Sequence, residues 1–234
     1  MQSSRTLYLS LLKKCLTRFI FPDGDLDHDL VRCHPFSPEL RIQGLDWPTE
    51  AETMVGVRRL NNVEELANRI FSEGVPGDFV EAGVWRGGVA IFMRALLAAF
   101  GDPDRLVWVA DSFEGLPVAN PQAFPADEGD QHFTLKPYLG IPSDVVRANF
   151  RRYGLLDDRV RFLEGFFIDT LRTSPICEYS PAESRRRHVR IDHSGARSPL
   201  PPSFAGRLRH CGRLRRAPVL QKSSSGLQGA GGDR

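Results

Sequence analysis

Between Asn62 and Leu163 the apolar positions change period repeatedly, and each change marks a new element. Val63, Leu66, Ala67, Ile70 and Phe71 recur at helical spacing. Asn62 stands where a cap belongs, and Glu65 three residues on would complete a capping box. Gly74 and the Pro76-Gly77 pair end that helix. Phe79 to Ala82 reads as a short strand, and Val89 to Phe100, rich in Ala, Leu, Ile and Phe, as the next helix. Leu106-Val107-Trp108-Val109-Ala110 is a continuous apolar run ending at Asp111, the pattern of a strand buried on both faces. Ser143 is placed to cap a helix in which Val146 and Phe150 share a face, and Val160 to Leu163 makes a third strand. Upstream, Leu9, Leu12, Leu16, Phe19 and Ile20 mark one face of an N-terminal helix that packs on the domain or on a second subunit. A homo-oligomer is compatible with that face.

Strand, glycine-rich turn, helix, strand ending in an acid, helix, strand is the first half of a Rossmann-like α/β unit. The chain divides into a helical segment, residues 1–75, a partial Rossmann-like cofactor-binding domain, residues 76–175, and a tail, residues 176–234. The stretch from Pro117 to Pro142 has no clear period, and a loop of that length inside a domain is usually functional, often a lid.

The chemistry is concentrated at Glu81-Ala82-Gly83-Val84-Trp85-Arg86-Gly87-Gly88. Its glycines let the backbone approach a ligand, and the following helix points its first N–H groups the same way. Asp111, 28 residues after Gly83 at the end of the next strand, is placed to accept hydrogen bonds from ribose hydroxyls. The spacing is G-x-x-x-G-G, not the G-x-G-x-x-G of a dinucleotide site, and Glu81 precedes the first glycine. That carboxylate repels a pyrophosphate and tolerates the cationic S-adenosylmethionine. Methyl transfer is therefore favoured over hydride transfer to a nicotinamide.

Charge changes the picture for the tail. Residues 176–234 hold twelve Lys plus Arg against four Asp plus Glu, a net of +8, while residues 1–175 carry nineteen against twenty-five, a net of −6. The basic residues lie among Pro, Ser and Gly with no helical stripe, so nucleic-acid binding is not expected, and the tail is expected to be disordered. Cys15, Cys33, Cys177 and Cys211 match no zinc spacing, which points to a reduced, cytoplasmic setting. No segment reads as membrane-spanning, and Lys13, Lys14 and Arg18 interrupt the only stretch that resembles a signal. Asp23, Asp25, Asp27 and Asp29 alternate as in a calcium loop, but the glycine and the closing acid are missing, so a solvated acidic loop is expected.

The run Gly77 to Gly88 resembles the signature of the macrocin O-methyltransferase family, S-adenosylmethionine-dependent, magnesium-assisted enzymes that methylate sugar hydroxyls of macrolide antibiotics and related products. Val109 to Pro117, Val146 to Phe150 with Tyr153 to Leu156, and Arg161 to Phe167 are similar to the same family. So are Leu7-Tyr8-Leu9, Cys15-Leu16 and Thr53-Met54, and the likeness covers about residues 5–175. The resemblance implies a class I methyltransferase fold in which Glu81, Gly83, Trp85 and Gly87 surround the methionine end of the cofactor. It implies Asp111 and Ser112 at the ribose, Gly165 and Phe166 on the adenine side, and Thr53 and Met54 closing over it. His132, in the unpatterned loop, is a weaker candidate for contact with a glycosylated small-molecule substrate, and a solvated histidine is the plainer reading.

In the family, magnesium and the reacting hydroxyl are managed by acids in later segments that read L-D-G-D-M-Y-E-S and V-I-V-D-D-Y. Neither is present, so no catalytic or metal residue is assigned, and the later strands are missing from the fold. Read one base later with free choice of third bases, Ser184 to Ile191 yields L-D-G-D-M-Y-E-S, and Phe204 to Arg216 yields S-P-G-G-F-V-I-V-D-D-Y-G-A. Both follow from one offset, so a frameshift between about Arg172 and Ser184 is the expectation. Truncation would leave the strand Phe79 to Ala82 as an open sheet edge, with weak stability and little turnover. The rival from another class is a non-catalytic cofactor-binding or interaction protein with a basic arm.

Overall fold

In the computed structural model, which describes residues 2–27, 29–122, 125–173 and 189–190, three parallel strands form the frame on which everything else is placed. Helix α1 (Ser4–Leu16) leads to a two-stranded antiparallel ribbon, β1 (Asp25–Leu26) with β2 (Cys33–His34), then α2 (Pro38–Gln43) and α3 (Gly56–Ser72). The α/β unit follows: β3 (Phe79–Ala82), α4 (Gly88–Phe100), β4 (Val107–Asp111), α5 (Lys136–Leu139), α6 (Ser143–Arg152), β5 (Val160–Glu164) and α7 (Phe167–Thr173). A last strand, β6, is Val189–Arg190. The sheet order is β5-β4-β3-β6, with Phe79 opposite Val107, Val107 opposite Val160 and Asp111 opposite Glu164.

Helix α4 explains the position of the sheet. From Gly88 to Leu97 every residue is buried, because α1 and α3 cover one side and β3 and β4 the other. A helix apolar all round belongs in that place. Its one cation, Arg94, is 4% exposed and meets both carboxylate oxygens of Asp157, Nε lying 3.1 Å from Oδ1 and 3.2 Å from Oδ2. Hydrogen bonding from Arg94 first, and from the Arg159 amide, holds the Asp157 carboxyl below its ordinary range, against the opposing effect of burial. A carboxyl lowered by folding stabilises the fold above its unfolded value and loses that contribution as pH falls through the folded one. Asp157→Asn is therefore expected to flatten the loss of thermal midpoint below about pH 4, measured as melting temperature against pH.

Several sequence expectations shift. α3 begins at Gly56, so Asn62 lies inside the helix rather than capping it. The cause is tertiary: a Cβ on Gly56 would sit 2.4 Å from the Gly44 nitrogen, so the helix start is set by backbone packed on backbone. Pro142, not Ser143, is the cap of α6, and the Ser143 hydroxyl bonds Glu164 Oε2 at 3.0 Å. α1 ends at Leu16, where Arg18 turns left-handed (φ 55°). Leu9, Leu12 and Leu16 are buried on α3 and α4 while Ile20 is exposed. The acidic loop is not simply solvated, because the Asp23 carboxylate is 3% exposed and pairs with Arg41.

The open edge is also corrected. β6 lies parallel to β3, Phe79 opposite Val189 and Val80 opposite Arg190, because the unpaired groups of a central strand are a template for any extended segment in reach. The remainder of the tail, for which disorder was expected, lies outside the described residues. No helix among the described residues is long and apolar enough to cross a membrane.

Candidate cofactor site at the strand tips

The carboxyl ends of β3, β4 and β5 are stitched together by their own backbone. The Gly83 amide donates to the Ala110 carbonyl at 2.9 Å, and the Gly165 amide to the Asp111 carbonyl at 2.9 Å. Asp111 adds a side-chain staple: Oδ2 accepts from the Val84 amide at 2.5 Å and the Trp85 amide at 3.4 Å, and Oδ1 from the Phe113 amide at 2.9 Å. Sequence reasoning assigned this carboxylate to the ribose alone. It also fixes the glycine turn, and a ribose hydroxyl has to share its lone pairs with those amides.

The turn is unusual in its backbone. Gly83 (φ 82°) and Gly87 (φ 88°) are left-handed, and so is Trp85 (φ 50°), which costs a non-glycine residue about 1–3 kcal/mol. What offsets this is the indole. It is 8% exposed, its Nε1 donates to the Tyr138 carbonyl at 2.9 Å, and its ring lies 5.3 Å from that of Tyr138. Tyr138 in turn donates to the Pro48 carbonyl at 2.9 Å and packs 5.1 Å from Trp47. Burial pushes the Tyr138 hydroxyl well above its ordinary range. Arg86 lies over the Trp85 ring at 4.3 Å and donates to the Ala51 carbonyl, and Asn149 Nδ2 donates to the Arg86 carbonyl at 2.9 Å.

Gly87 opens α4 with no side-chain cap, and a Cβ there would lie 2.8 Å from Val146 Cγ1. Gly87→Ala therefore combines a left-handed backbone with a clash against α6. A loss of about 2–3 kcal/mol is expected, read as a lower denaturation midpoint at unchanged slope.

The residues singled out from sequence are largely brought together. Glu81, 2% exposed, is the last residue but one of β3, with Gly83, Trp85 and Gly87 following in the turn. Asp111 and Ser112 occupy the next tip, where the Ser112 hydroxyl donates to the Gly115 carbonyl at 2.7 Å. Gly165 is left-handed at the third, and the Phe166 carbonyl receives the Asp169 and Thr170 amides of α7. Thr53 is buried against the α4 start, its Cβ 2.7 Å from where a Gly88 Cβ would stand. Met54 is half-buried and turns its carbonyl toward Gly44. His132 bonds Asp130 at 2.6 Å, and no described contact joins it to the turn. Trp47 and Tyr138 were not singled out, because isolated aromatics in unpatterned segments give no periodic signal, and Asn149, inside the expected helix and the family-like run Val146 to Phe150, was given no role of its own.

Glu81 and Asp111 supply carboxylates at adjacent strand tips, suited to a cation bearing vicinal hydroxyls and unsuited to a pyrophosphate. Among the described residues no three His, Cys, Asp or Glu side chains come together as a group that could hold a metal ion.

Comparison with known proteins agrees with this geometry. Residues 5–180 match the family described as macrocin-O-methyltransferase (TylF). The chain is 48% identical over 174 residues to 8-demethyl-8-(2,3-dimethoxy-alpha-L-rhamnosyl)-tetracenomycin-C 4'-O-methyltransferase of Streptomyces olivaceus, covering 74% of this chain and 66% of that protein. It is 44% identical over 171 residues to mycinamicin III 3''-O-methyltransferase of Micromonospora griseorubida, covering 72% and 67%. Demethyldecarbamoylnovobiocin O-methyltransferase of Streptomyces niveus is 42% identical over 175 residues, covering 74% and 67%. The solved structure of the O-methyltransferase NovP superposes with a TM-score of 0.69 at 41% identity, over 74% of this chain and 69% of that one. The chain thus spans about two thirds of the length of the curated relatives it matches. Turn, strand tips and matched residues lead to one conclusion: this chain belongs to the macrocin O-methyltransferase family.

Proposed function

We propose that the chain binds S-adenosylmethionine at the three strand tips and derives from an O-methyltransferase acting on a sugar hydroxyl of a glycosylated, macrolide-type natural product. The observation that carries this is the buried Glu81 carboxylate on a glycine turn stapled to the next strand by Asp111. When bound, the cofactor supplies an electrophilic methyl group on a positively charged sulfur. Glu81, Gly83, Trp85 and Gly87 hold its methionine end, with the carboxylate balancing the cation in a site of low effective dielectric. Asp111 and Ser112 take the ribose, Gly165 and Phe166 the adenine side, and Thr53 with Met54 lies over the α4 start.

The acceptor side is where this chain differs from its relatives. The acids that position metal and hydroxyl in the family have no counterpart in the sequence, and the proton of the acceptor hydroxyl has no assigned base. The chain is therefore a catalytically impaired member, its reading frame displaced between about Arg172 and Ser184. In support, the family match runs to residue 180, four residues before the segment that restores L-D-G-D-M-Y-E-S in the offset frame. Calorimetric titration of the full chain with S-adenosylhomocysteine tests the cofactor site, and absence of binding by folded protein refutes it. The nucleotide sequence tests the displacement: third bases that do not spell both motifs one base later refute it.

A further inference from the structure

On α2, far in sequence from the glycine turn, Arg41 is wholly buried between two carboxylates. Its Nη1 lies 2.7 Å from Asp23 Oδ1 and donates to the Thr17 carbonyl at 2.7 Å, while its Nε pairs with Asp46 Oδ2. The three side chains are 0%, 3% and 1% exposed. Two acids on one cation, all out of water, are a poor source of stability, since an apolar trio of the same volume usually does as well or better. The arrangement makes sense through what Asp23 does with its other oxygen.

Asp23 Oδ2 accepts the amides of Glu50 and Ala51, at 2.7 and 2.9 Å. Beyond those two residues the chain runs directly over the cofactor turn. The Glu52 carbonyl accepts the Gly88 amide at 2.8 Å, the Ala51 carbonyl accepts Arg86, and Thr53 packs on Gly88. A Cβ on Gly88 would stand 2.5 Å from the Glu52 oxygen, so the segment touches the first turn of α4 with no slack. At its far end Gly56 is packed backbone to backbone on Gly44, the left-handed cap of α2. Residues 50–56 are thus pinned at one end to Asp23, itself paired with Arg41 of α2, at the other to the cap of α2, and in the middle to the turn.

We infer that Asp23 and Arg41 are positioning residues for the cofactor site, a buried latch that sets the height of Glu50–Met54, and with it Thr53 and Met54, above the glycine turn. This rests on the cofactor reading given under Proposed function. The charge on Asp23 is needed because one carboxylate has to serve a guanidinium and two amides together, which an amide or an apolar side chain does not do.

The test uses the full chain, with S-adenosylhomocysteine titrated calorimetrically and amide hydrogen exchange followed over residues 46–58. In the parent, the Glu50 and Ala51 amides are expected to be protected before any ligand is added. Asp23→Asn is expected to expose them and to weaken binding at least tenfold. Asp157→Asn, which disturbs the Arg94 pair on the other side of α4, serves as the control for mere destabilisation and is expected to bind within twofold of the parent. Should Asp23→Asn fail to fold, Arg41→Lys takes its place. It keeps the cation and loses the fork, with an expected affinity between the parent and Arg41→Met. Parental affinity in Asp23→Asn or Arg41→Lys overturns the inference, as do unprotected Glu50 and Ala51 amides in the parent. A parent that folds and binds nothing overturns the cofactor reading and the latch with it, a result visible in the parent and so distinct from a failure confined to the variants.

Discussion

Glu81→Gln is expected to bind S-adenosylhomocysteine about 10- to 100-fold more weakly than the parent, roughly 1.4–2.8 kcal/mol, with its thermal midpoint moved by only a few degrees. The substitution keeps the shape of a side chain that is 2% exposed. It removes the charge and replaces one acceptor oxygen by a donor NH2. On the proposed placement against the amino group of the methionine end, a carboxylate makes charge-assisted hydrogen bonds worth about twice a neutral one, and the screening that weakens surface pairs is much reduced in a buried site. Asp111→Asn behaves differently, because Asp111 also accepts the Val84, Trp85 and Phe113 amides: it loses both affinity and stability. The contrast between the two variants, measured by calorimetry and thermal melting on the same preparations, separates ligand contact from scaffold. Equal losses of stability in both would place Glu81 in the scaffold and not at the cofactor.

The larger effect is expected from the gene. On the proposed displacement, moving the reading frame on by one base upstream of Ser184 is expected to replace the arginine-rich tail with a chain carrying L-D-G-D-M-Y-E-S and V-I-V-D-D-Y. The repaired protein is expected to methylate a glycosylated acceptor in a magnesium-dependent manner, at a rate at least about 10³-fold above the parent. General-base catalysis alone contributes about 10²–10⁴, and the positioning lost with the metal adds to it. Transfer of a labelled methyl group, with and without chelator, measures this. Parity between parent and repaired chains would show the tail to be competent as it stands. The repaired chain should also melt more cooperatively, since among the described residues only Val189 and Arg190 line the outer side of β3.

How much of this was legible in the sequence depends on what kind of force fixes each part. The strands were: Val107–Asp111, inside the sheet, writes a continuous apolar run and falls within a residue, Phe79–Ala82 is found as expected, and the edge strand Val160–Glu164, apolar at Val160, Phe162 and Leu163, also falls within a residue. The glycine turn was, because Gly83 and Gly87 occupy left-handed positions that few other residues tolerate. The start of α3 was not. Asn62 and Glu65 imitate a capping box, while the actual start depends on Gly44 meeting Gly56, a contact between distant segments that leaves no local pattern. The same holds for Asp23, which looks solvated beside three other acids and is buried only because Arg41 arrives from α2. Tyr138 was hidden for a related reason: its burial comes from Trp47 and Trp85, not from any period in its own loop.

That last cluster gives the molecule a built-in optical probe. Of the three tryptophans in the chain, Trp47 and Trp85 flank Tyr138, and Trp85 forms part of the turn itself. The third, Trp108, is held on β4 by its bond to Asp78 and provides a steady background. On the cofactor reading, emission from Trp47 and Trp85 is expected to change when the turn is occupied, without any label having to be attached.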